Sequence, residues 1–310
     1  MRILLIGAGG LIGSRLRRKL NALGELVALD RSSLDLSDQN AIRRTIRLSA
    51  PNIIVNAAAY TNVDAAEGQP ELAMAINALA PGIMAEEAER AGAALIHYST
   101  DYVFSGCQEV PYREDDLPDP INAYGISKLA GEKAVVAIDA AHLILRTSWV
   151  FGVGGQTFMS RFVDLALGRE ELTAVDDQFS IPNWGEWVAG ATAQMITILL
   201  SRSNSDVAGA TREVAGIYHL TGSGSTTPYG FAEELLLLHH RKRREGLSGE
   251  LNLKRLIRGS SDNLASAATR PPYSVLDNRK TTDQFGITMP EWREQLALAS
   301  DELFRGTIAG

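Results

Sequence analysis

Two periodicities alternate through the first half of the chain. Arg2–Ile6 is a short apolar run of the kind that makes a buried parallel strand, and Leu11–Leu23 then reads as a helix. Glu25–Leu29 is strand-like and Asp38–Leu48 helix-like. Asn52–Val55 is strand-like again, and Glu71–Ala91 reads as one long helix ended by Gly92. Ala94–Tyr98 makes a fourth strand, Tyr124–Ile138 a helix and Leu143–Thr147 a fifth strand. Strands alternating with helices of this length predict βαβ units, and so an α/β fold with a parallel sheet covered on both faces. In such sheets ligands collect at the carboxyl ends of the strands, which directs attention to the residues just after each one.

Beyond Trp149 the pattern is less regular. Helices are expected at Thr157–Leu167, Trp184–Leu200 and Tyr229–Arg241, and short strands near Leu172–Val175 and Ile217–Leu220. Ser203–Gly216, rich in small and polar residues, reads as an exposed loop. His239-His240 reads as a surface pair and Arg241–Arg244 as a solvated helix end favoured by the helix dipole. The division expected is residues 1–150 as a nucleotide-binding domain and 151–310 as mainly a substrate domain, with some of its segments returning to the first.

Composition changes this picture little but excludes some functions. With 310 residues, 45% hydrophobic and 22% charged, the chain has ample material for a core. A net charge of −7 argues against nucleic-acid binding, which relies on Lys and Arg to neutralise phosphates. The only cysteine, Cys107, has no internal partner, which fits a reducing cytoplasm. No apolar stretch approaches the roughly 18 residues of a membrane span.

Gly7, Gly10 and Gly13 stand between the first strand and the first helix in GAGGLIG. Glycines there permit a tight turn and close approach of a pyrophosphate, and the helix N-terminus offers unpaired N–H groups to it. Asp30, ending the second strand, is placed to accept the adenosine ribose hydroxyls of NADH, whereas the adjacent Arg31 can pair with the 2′-phosphate of NADPH. Use of both coenzymes is therefore expected. Asp35 and Leu36 are placed to flank the adenine. The small residues of Asn56–Ala59 leave room for a cofactor against the third strand.

Tyr124 and Lys128, four apart on one helix, share a face. A free tyrosine, with pKa about 10, is a weak acid–base partner at neutral pH, and a nearby ammonium is expected to lower it. Thr100, after the fourth strand, adds a hydroxyl for the substrate oxygen. The three together predict reduction of a carbonyl or oxidation of an alcohol, with Thr100, Tyr124 and Lys128 as the catalytic residues.

The order of these motifs, with Ser99–Phe104 (STDYVF) and Gly131-Glu132, resembles the extended short-chain dehydrogenases. More narrowly, VNAAAYTNVDAAE, IHYSTDYVFSG, LILRTSWVFG, DQFSIP and RPPYSVLD resemble the dTDP-4-dehydrorhamnose reductase family. The resemblance implies a Rossmann-type doubly wound sheet, a smaller C-terminal substrate domain, NADPH or NADH as cofactor, and a dTDP-sugar as substrate. It implies reduction of the C4 ketone of dTDP-4-dehydro-6-deoxy-L-mannose, a step in building cell-surface polysaccharide. It places Gly10, Leu11 and Ile12 at the pyrophosphate, and Ala59, Tyr60, Thr61 and Tyr98 along the nicotinamide half. Thr100, Asp101 and Trp149 would meet the sugar and Arg270 the diphosphate. It also allows a homodimer.

Three positions depart from the family pattern: Ser180 and Asn183 stand where a Gly and a Thr are usual, and Arg15 where some members carry a metal-binding Glu. No metal site is carried over. The alternatives are a nucleotide-sugar epimerase or 4,6-dehydratase, although Tyr102 replaces the glutamate dehydratases use, and a non-catalytic regulatory protein on the same fold.

Overall fold

The computed structural model describes residues 1–155, 157–203, 206–246, 249–263 and 266–307. Strands β1 (Arg2–Ile6), β2 (Glu25–Leu29), β3 (Ile53–Asn56), β4 (Ala94–Thr100) and β5 (His142–Thr147) form one parallel sheet. Between them run helices α1 (Leu11–Leu20), α2 (Gln39–Ser49), α3 (Val63–Gly68), α4 (Pro70–Met74), α5 (Ala80–Ala91) and α6 (Ala123–Val136). The second half adds β6 (Val150–Phe151), α7 (Phe158–Gly168), β7 (Glu171–Val175), β8 (Asn183–Trp184), α8 (Gly185–Arg202) and α9 (Val207–Arg212). It ends with β9 (Gly216–His219), α10 (Pro228–Arg244), β10 (Arg255–Gly259), α11 (Arg279–Phe285) and α12 (Trp292–Thr307).

The order β2-β1-β3-β4-β5-β9 turns back on itself between β1 and β3, and that reversal opens the crevice in which such sheets bind ligands. Alternate strand residues feed opposite layers. Ile3, Leu5, Ile53 and Val55 pack with Leu16 and Leu20 of α1 and Val188, Met195 and Ile196 of α8. Leu4, Ile6 and Ile54 pack with Ile42 and Ile46 of α2 and Met84 and Ala88 of α5. A period of two along a strand buried on both faces produces this division.

β9 and α8, from the second half of the chain, belong to this layer structure. The rest of that half closes around an aromatic cluster of Phe151, Phe162, Phe231 and Trp292, flanked by the short pairs β6/β8 and β7/β10. Among the described residues no helix is long and apolar enough to cross a membrane.

Three local expectations need correction, and some elements were not anticipated. The Ser203–Gly216 segment is not simply an exposed loop. Asp206 caps α9 by accepting from Gly209 N, and Val207, Ala208, Ala210 and Thr211 are buried; residues 204 and 205 lie outside the described residues. The helix read over Glu71–Ala91 is broken by a π turn at Ala75–Leu79. Pro81 cannot donate to the Asn77 carbonyl one turn back, so the ladder shifts there. His239 is buried against Phe304 rather than on the surface. Finally, β10, α11 and α12 carry too weak a local pattern to have been read from the chain.

One buried ion pair joins α6 to β5. Arg146 donates from Nε and Nη2 to the two Glu132 oxygens at 2.9 and 2.7 Å, with both side chains almost fully buried. Replacing Glu132 by Ala strands the guanidinium, so a loss of about 3–5 kcal/mol in denaturant-unfolding stability is expected. A loss under about 1 kcal/mol would mean that water reaches Arg146.

Candidate active site

A cleft of about 1650 Å³ runs along the carboxyl ends of β1 to β5 and continues between the two halves of the chain. At its floor, Gly7 (φ +87°) turns the chain, and Gly10 opens α1 with no side-chain cap. A Cβ on Gly7 would sit 2.6 Å from Ala58 N, and one on Gly13 only 1.9 Å from Gly7 O. The turn is thus drawn against β3 and α1 against the turn, which leaves the uncapped N–H groups of the first helical turn for an anion. Gly7, Gly10, Leu11 and Ile12 line the cleft; Gly13 does not, and serves by packing α1 rather than by contact.

At the end of the cleft beside β2, Asp30, Arg31, Asp35 and Leu36 line the same wall. Asp30 Oδ1 accepts from the backbone N–H and hydroxyl of both Ser32 and Ser33, bonds that hold its carboxyl below the usual range. Oδ2 takes none of these bonds. Asp35 Oδ1 is held likewise by Ser37. The glycine cradle, the uncapped helix and the fixed carboxylate match what a dinucleotide requires.

Ala59, Tyr60, Thr61 and Tyr98 also line the cleft. Tyr60 is anchored by Asn77, whose Oδ1 accepts from Tyr60 N at 2.8 Å while its Nδ2 donates to Tyr60 O at 3.0 Å and to Ser127 Oγ at 2.9 Å. Asn77 lies in the π turn and escaped the sequence reading. A lone amide inside the apolar run AMAINALA was the signal for it. The Tyr98 hydroxyl bonds to Thr192 of α8 at 2.5 Å and is buried, so Tyr98 meets the cleft with its ring rather than its polar end.

The predicted catalytic residues converge. Asn122 caps α6 by accepting from Gly125 N at 2.8 Å, and a Cβ on Gly125 would lie 2.1 Å from Tyr102 O. The start of α6 is thereby pressed onto the turn after β4, which brings Tyr124 to Thr100. Burial pushes the Tyr124 phenol up to about 12, opposed by a hydrogen bond with Thr100. This corrects the expectation that Lys128 lowers it. The Lys128 Nζ donates instead to Tyr98 O at 2.6 Å and lies 3.4 Å from His97 Nε2. Burial brings the lysine down to about 8. The phenol is therefore protonated across the physiological range.

Asp101 is buried beside them. It accepts from Thr100 Oγ1 at 3.1 Å, Ser180 Oγ at 3.1 Å and Ser274 Oγ at 2.5 Å, yet burial outweighs these bonds and raises its carboxyl to about 6. Ser180, the departure from the family glycine, thus ties the DQFSIP loop to the end of β4. Asn183, the other departure, is buried. Its Nδ2 donates to Ser148 O and Ile181 O, both at 2.8 Å, and its Oδ1 accepts from Gly222 N at 2.7 Å. It joins loops and does not line the cleft. Arg15 donates to Leu11 O and Val153 O, both at 2.8 Å, which fastens the glycine segment after β6 to the first turn of α1.

Trp149 lines the cleft from a backbone with φ +36° while its ring packs on Phe231, centroids 5.2 Å apart, so wall and core are the same residue. Arg270 reaches the cleft already committed: Nη2 donates to Asp64 Oδ2 at 2.8 Å and Nη1 to Oδ1 at 3.2 Å. A diphosphate there would have to share it with Asp64. Ser99 and Thr147, which the sequence reading passed over, place buried hydroxyls without a protein partner in the cleft lining.

Residues 1–304 match the family model described as RmlD substrate binding domain. The chain is 40% identical over 311 aligned residues to the dTDP-4-dehydrorhamnose reductase of Escherichia coli (strain K12), covering 99% of each. It is 34% identical to the spore coat polysaccharide biosynthesis protein SpsK of Bacillus subtilis (strain 168), covering 95% of each. A crystal structure of dTDP-4-dehydrorhamnose reductase from Bacillus anthracis str. Ames in complex with NADP aligns with a TM-score of 0.82 at 30% identity, covering 97% of this chain and 99% of that one. A dTDP-glucose 4,6-dehydratase from Streptomyces venezuelae, at 19% identity and a TM-score of 0.77, shares the fold. With the glycine turn, the Thr100–Tyr124–Lys128 group and similarity along almost its whole length, the chain belongs to the dTDP-4-dehydrorhamnose reductase family of NAD(P)H-dependent short-chain dehydrogenases/reductases.

Proposed function

We propose that this protein reduces the C4 ketone of dTDP-4-dehydro-6-deoxy-L-mannose to dTDP-L-rhamnose with NADPH or NADH, for cell-surface polysaccharide. The observation that carries the reading is the convergence of a half-buried, protonated Tyr124 with Thr100 and Lys128 on one stretch of the cleft at the end of β4, where the groove meets the second half of the chain. The reduced nicotinamide supplies a hydride to the carbonyl carbon. Tyr124 Oη supplies the proton to the carbonyl oxygen, and Thr100 Oγ1 holds that oxygen beside the phenol, exchanging its bond to Asp101 Oδ1 for one to the substrate. Lys128, fixed by Tyr98 O, turns the rest of its amino group toward the nicotinamide ribose. Asp101 and Trp149 orient the sugar, and Arg270, shared with Asp64, meets the diphosphate. Gly7, Gly10, Leu11, Ile12, Asp30, Arg31, Asp35, Leu36, Ala59, Tyr60, Thr61 and Tyr98 hold the coenzyme, with Gly13 behind them. Residues 151–310 act mainly as the substrate domain, in a cytoplasmic enzyme that binds no nucleic acid and pairs as a homodimer.

The test is oxidation of NADPH or NADH, followed by absorbance, with dTDP-4-dehydro-6-deoxy-L-mannose as substrate. Turnover with formation of dTDP-L-rhamnose supports the reading; coenzyme binding without turnover discards it. Asp30 and the exposed Arg31 act in opposite senses on a 2′-phosphate. The kcat/KM values for NADH and NADPH should therefore differ by less than about a hundredfold, or 2.7 kcal/mol. A larger ratio would show that one of the two side chains dominates. Asp30→Ala should move the ratio toward NADPH.

A further inference from the structure

Behind the cleft, His97 of β4 is fully buried between Asn56 and Lys128. The Asn56 amide is oriented by its neighbours: Oδ1 accepts from Ala58 N at 3.1 Å, so Nδ2 faces His97 Nδ1 at 3.0 Å. Rotating the amide would set two N–H groups against each other at Ala58. His97 Nδ1 must therefore present its lone pair. A neutral imidazole has one N–H, which then lies on Nε2, directed at Lys128 Nζ 3.4 Å away. Burial keeps His97 neutral, and the lysine charge acts in the same direction.

An imidazole N–H facing an ammonium opposes donor to donor, but facing an amine it meets a lone pair. With the lone pair toward His97 and one N–H on Tyr98 O, the amine form of Lys128 keeps a single free N–H, turned toward the cleft. We propose that the Asn56–His97 pair is a positioning device for Lys128, which fixes the rotation of its nitrogen and resists its protonation. This rests on the reading of Lys128 as an active-site residue. Of the titratable and charged groups nearby, Glu132 from α6 acts directly on Lys128 and is paired with Arg146 from β5, Tyr124 from α6 and Asp101 after β4 line the same cleft as Lys128, and uncharged Asn56 from β3 faces the ring. Glu132 favours the lysine cation but is taken up by both of its hydrogen bonds to Arg146. Asp101 is bonded to three hydroxyls.

The test uses NMR on the full chain without substrate, so it stands apart from whether the reductase assay succeeds. Nitrogen-15 spectra of the His97 ring should show the proton on Nε2; a proton on Nδ1 overturns the proposal without any variant. Asn56→Asp keeps an acceptor for Ala58 N and offers a second to His97 Nδ1–H. It should reverse the tautomer, so that Nε2 accepts from Lys128 and the lysine holds its proton at least tenfold more tightly. The Lys128 Cε signal, identified by its loss in Lys128→Arg, reads this as an upward shift of its titration. Most of the shift should vanish in Asn56→Asp/His97→Phe, where the carboxylate remains and the ring nitrogens are gone. An unshifted titration in Asn56→Asp, or a full shift in the double variant, overturns the proposal.

Discussion

Tyr124→Phe should lower kcat by about 10²–10⁴-fold, the range that a positioned general acid contributes. The coenzyme dissociation constant should change little, because the ring stays in place. Tyr124 packs edge-on against Tyr102 with centroids 6.0 Å apart, a contact that phenylalanine keeps. Only the hydroxyl beside Thr100 is lost. Thermal unfolding should therefore barely move, which separates a chemical effect from a folding one. Single-turnover oxidation of NADPH, with coenzyme binding followed by fluorescence, distinguishes the outcomes. Loss of turnover with intact binding supports Tyr124 as proton donor. Retention of more than about a tenth of the activity would transfer that role to another group, since a loss below tenfold is worth less than 1.4 kcal/mol.

Gly13→Ala should be among the most disruptive single methyl additions at the described glycines. Its Cβ would fall 1.9 Å from Gly7 O and 2.7 Å from Gly7 C, backbone atoms that cannot move without opening the turn. Overpacking of this kind costs about 1–3 kcal/mol and occasionally more. Here coenzyme affinity should fall with stability, because the displaced segment is the turn proposed to hold the pyrophosphate. Gly10→Ala is the matched comparison. Its Cβ would lie 3.4 Å from Gly7 O, an ordinary contact, so the fold should persist while the methyl group occupies space meant for the ligand. Chemical denaturation beside coenzyme titration reads both. Equal stability losses in the two variants would show that the turn is plastic and that Gly13 has no packing role.

The layered α/β fold was legible because its signals are local. Arg2–Ile6 and the strands after it are short apolar runs, and helices such as α2 declare themselves by a cap, here Asp38, and a buried stripe, here Ile42 and Ile46. The glycine turn and the Tyr124–Lys128 spacing are likewise properties of a few neighbouring residues. Where the reading failed, a local signal was missed, as with Pro81, or the deciding partner was distant in sequence. The helix read over Glu71–Ala91 breaks at a π turn whose Asn77 holds Tyr60 and Ser127. Strand β10 exists only beside β7, and the buried face of α12 is defined by α10 and β8.

Charge state followed the same division. The chain by itself determined which titratable groups would meet, since βαβ order brings the ends of β4 and α6 together. It could not determine which effect would govern them. Proximity of Lys128 argued for a lowered phenol, but Lys128 is turned to Tyr98 O and burial raises Tyr124 instead. Arg270 was free for a diphosphate as a residue in a string, and in the fold it is bound to Asp64, 206 positions away. Backbone conformation and hydrophobic period are written in adjacent residues. Desolvation and the direction of a hydrogen bond depend on which groups three-dimensional packing places around an atom, and only the tertiary structure decided those.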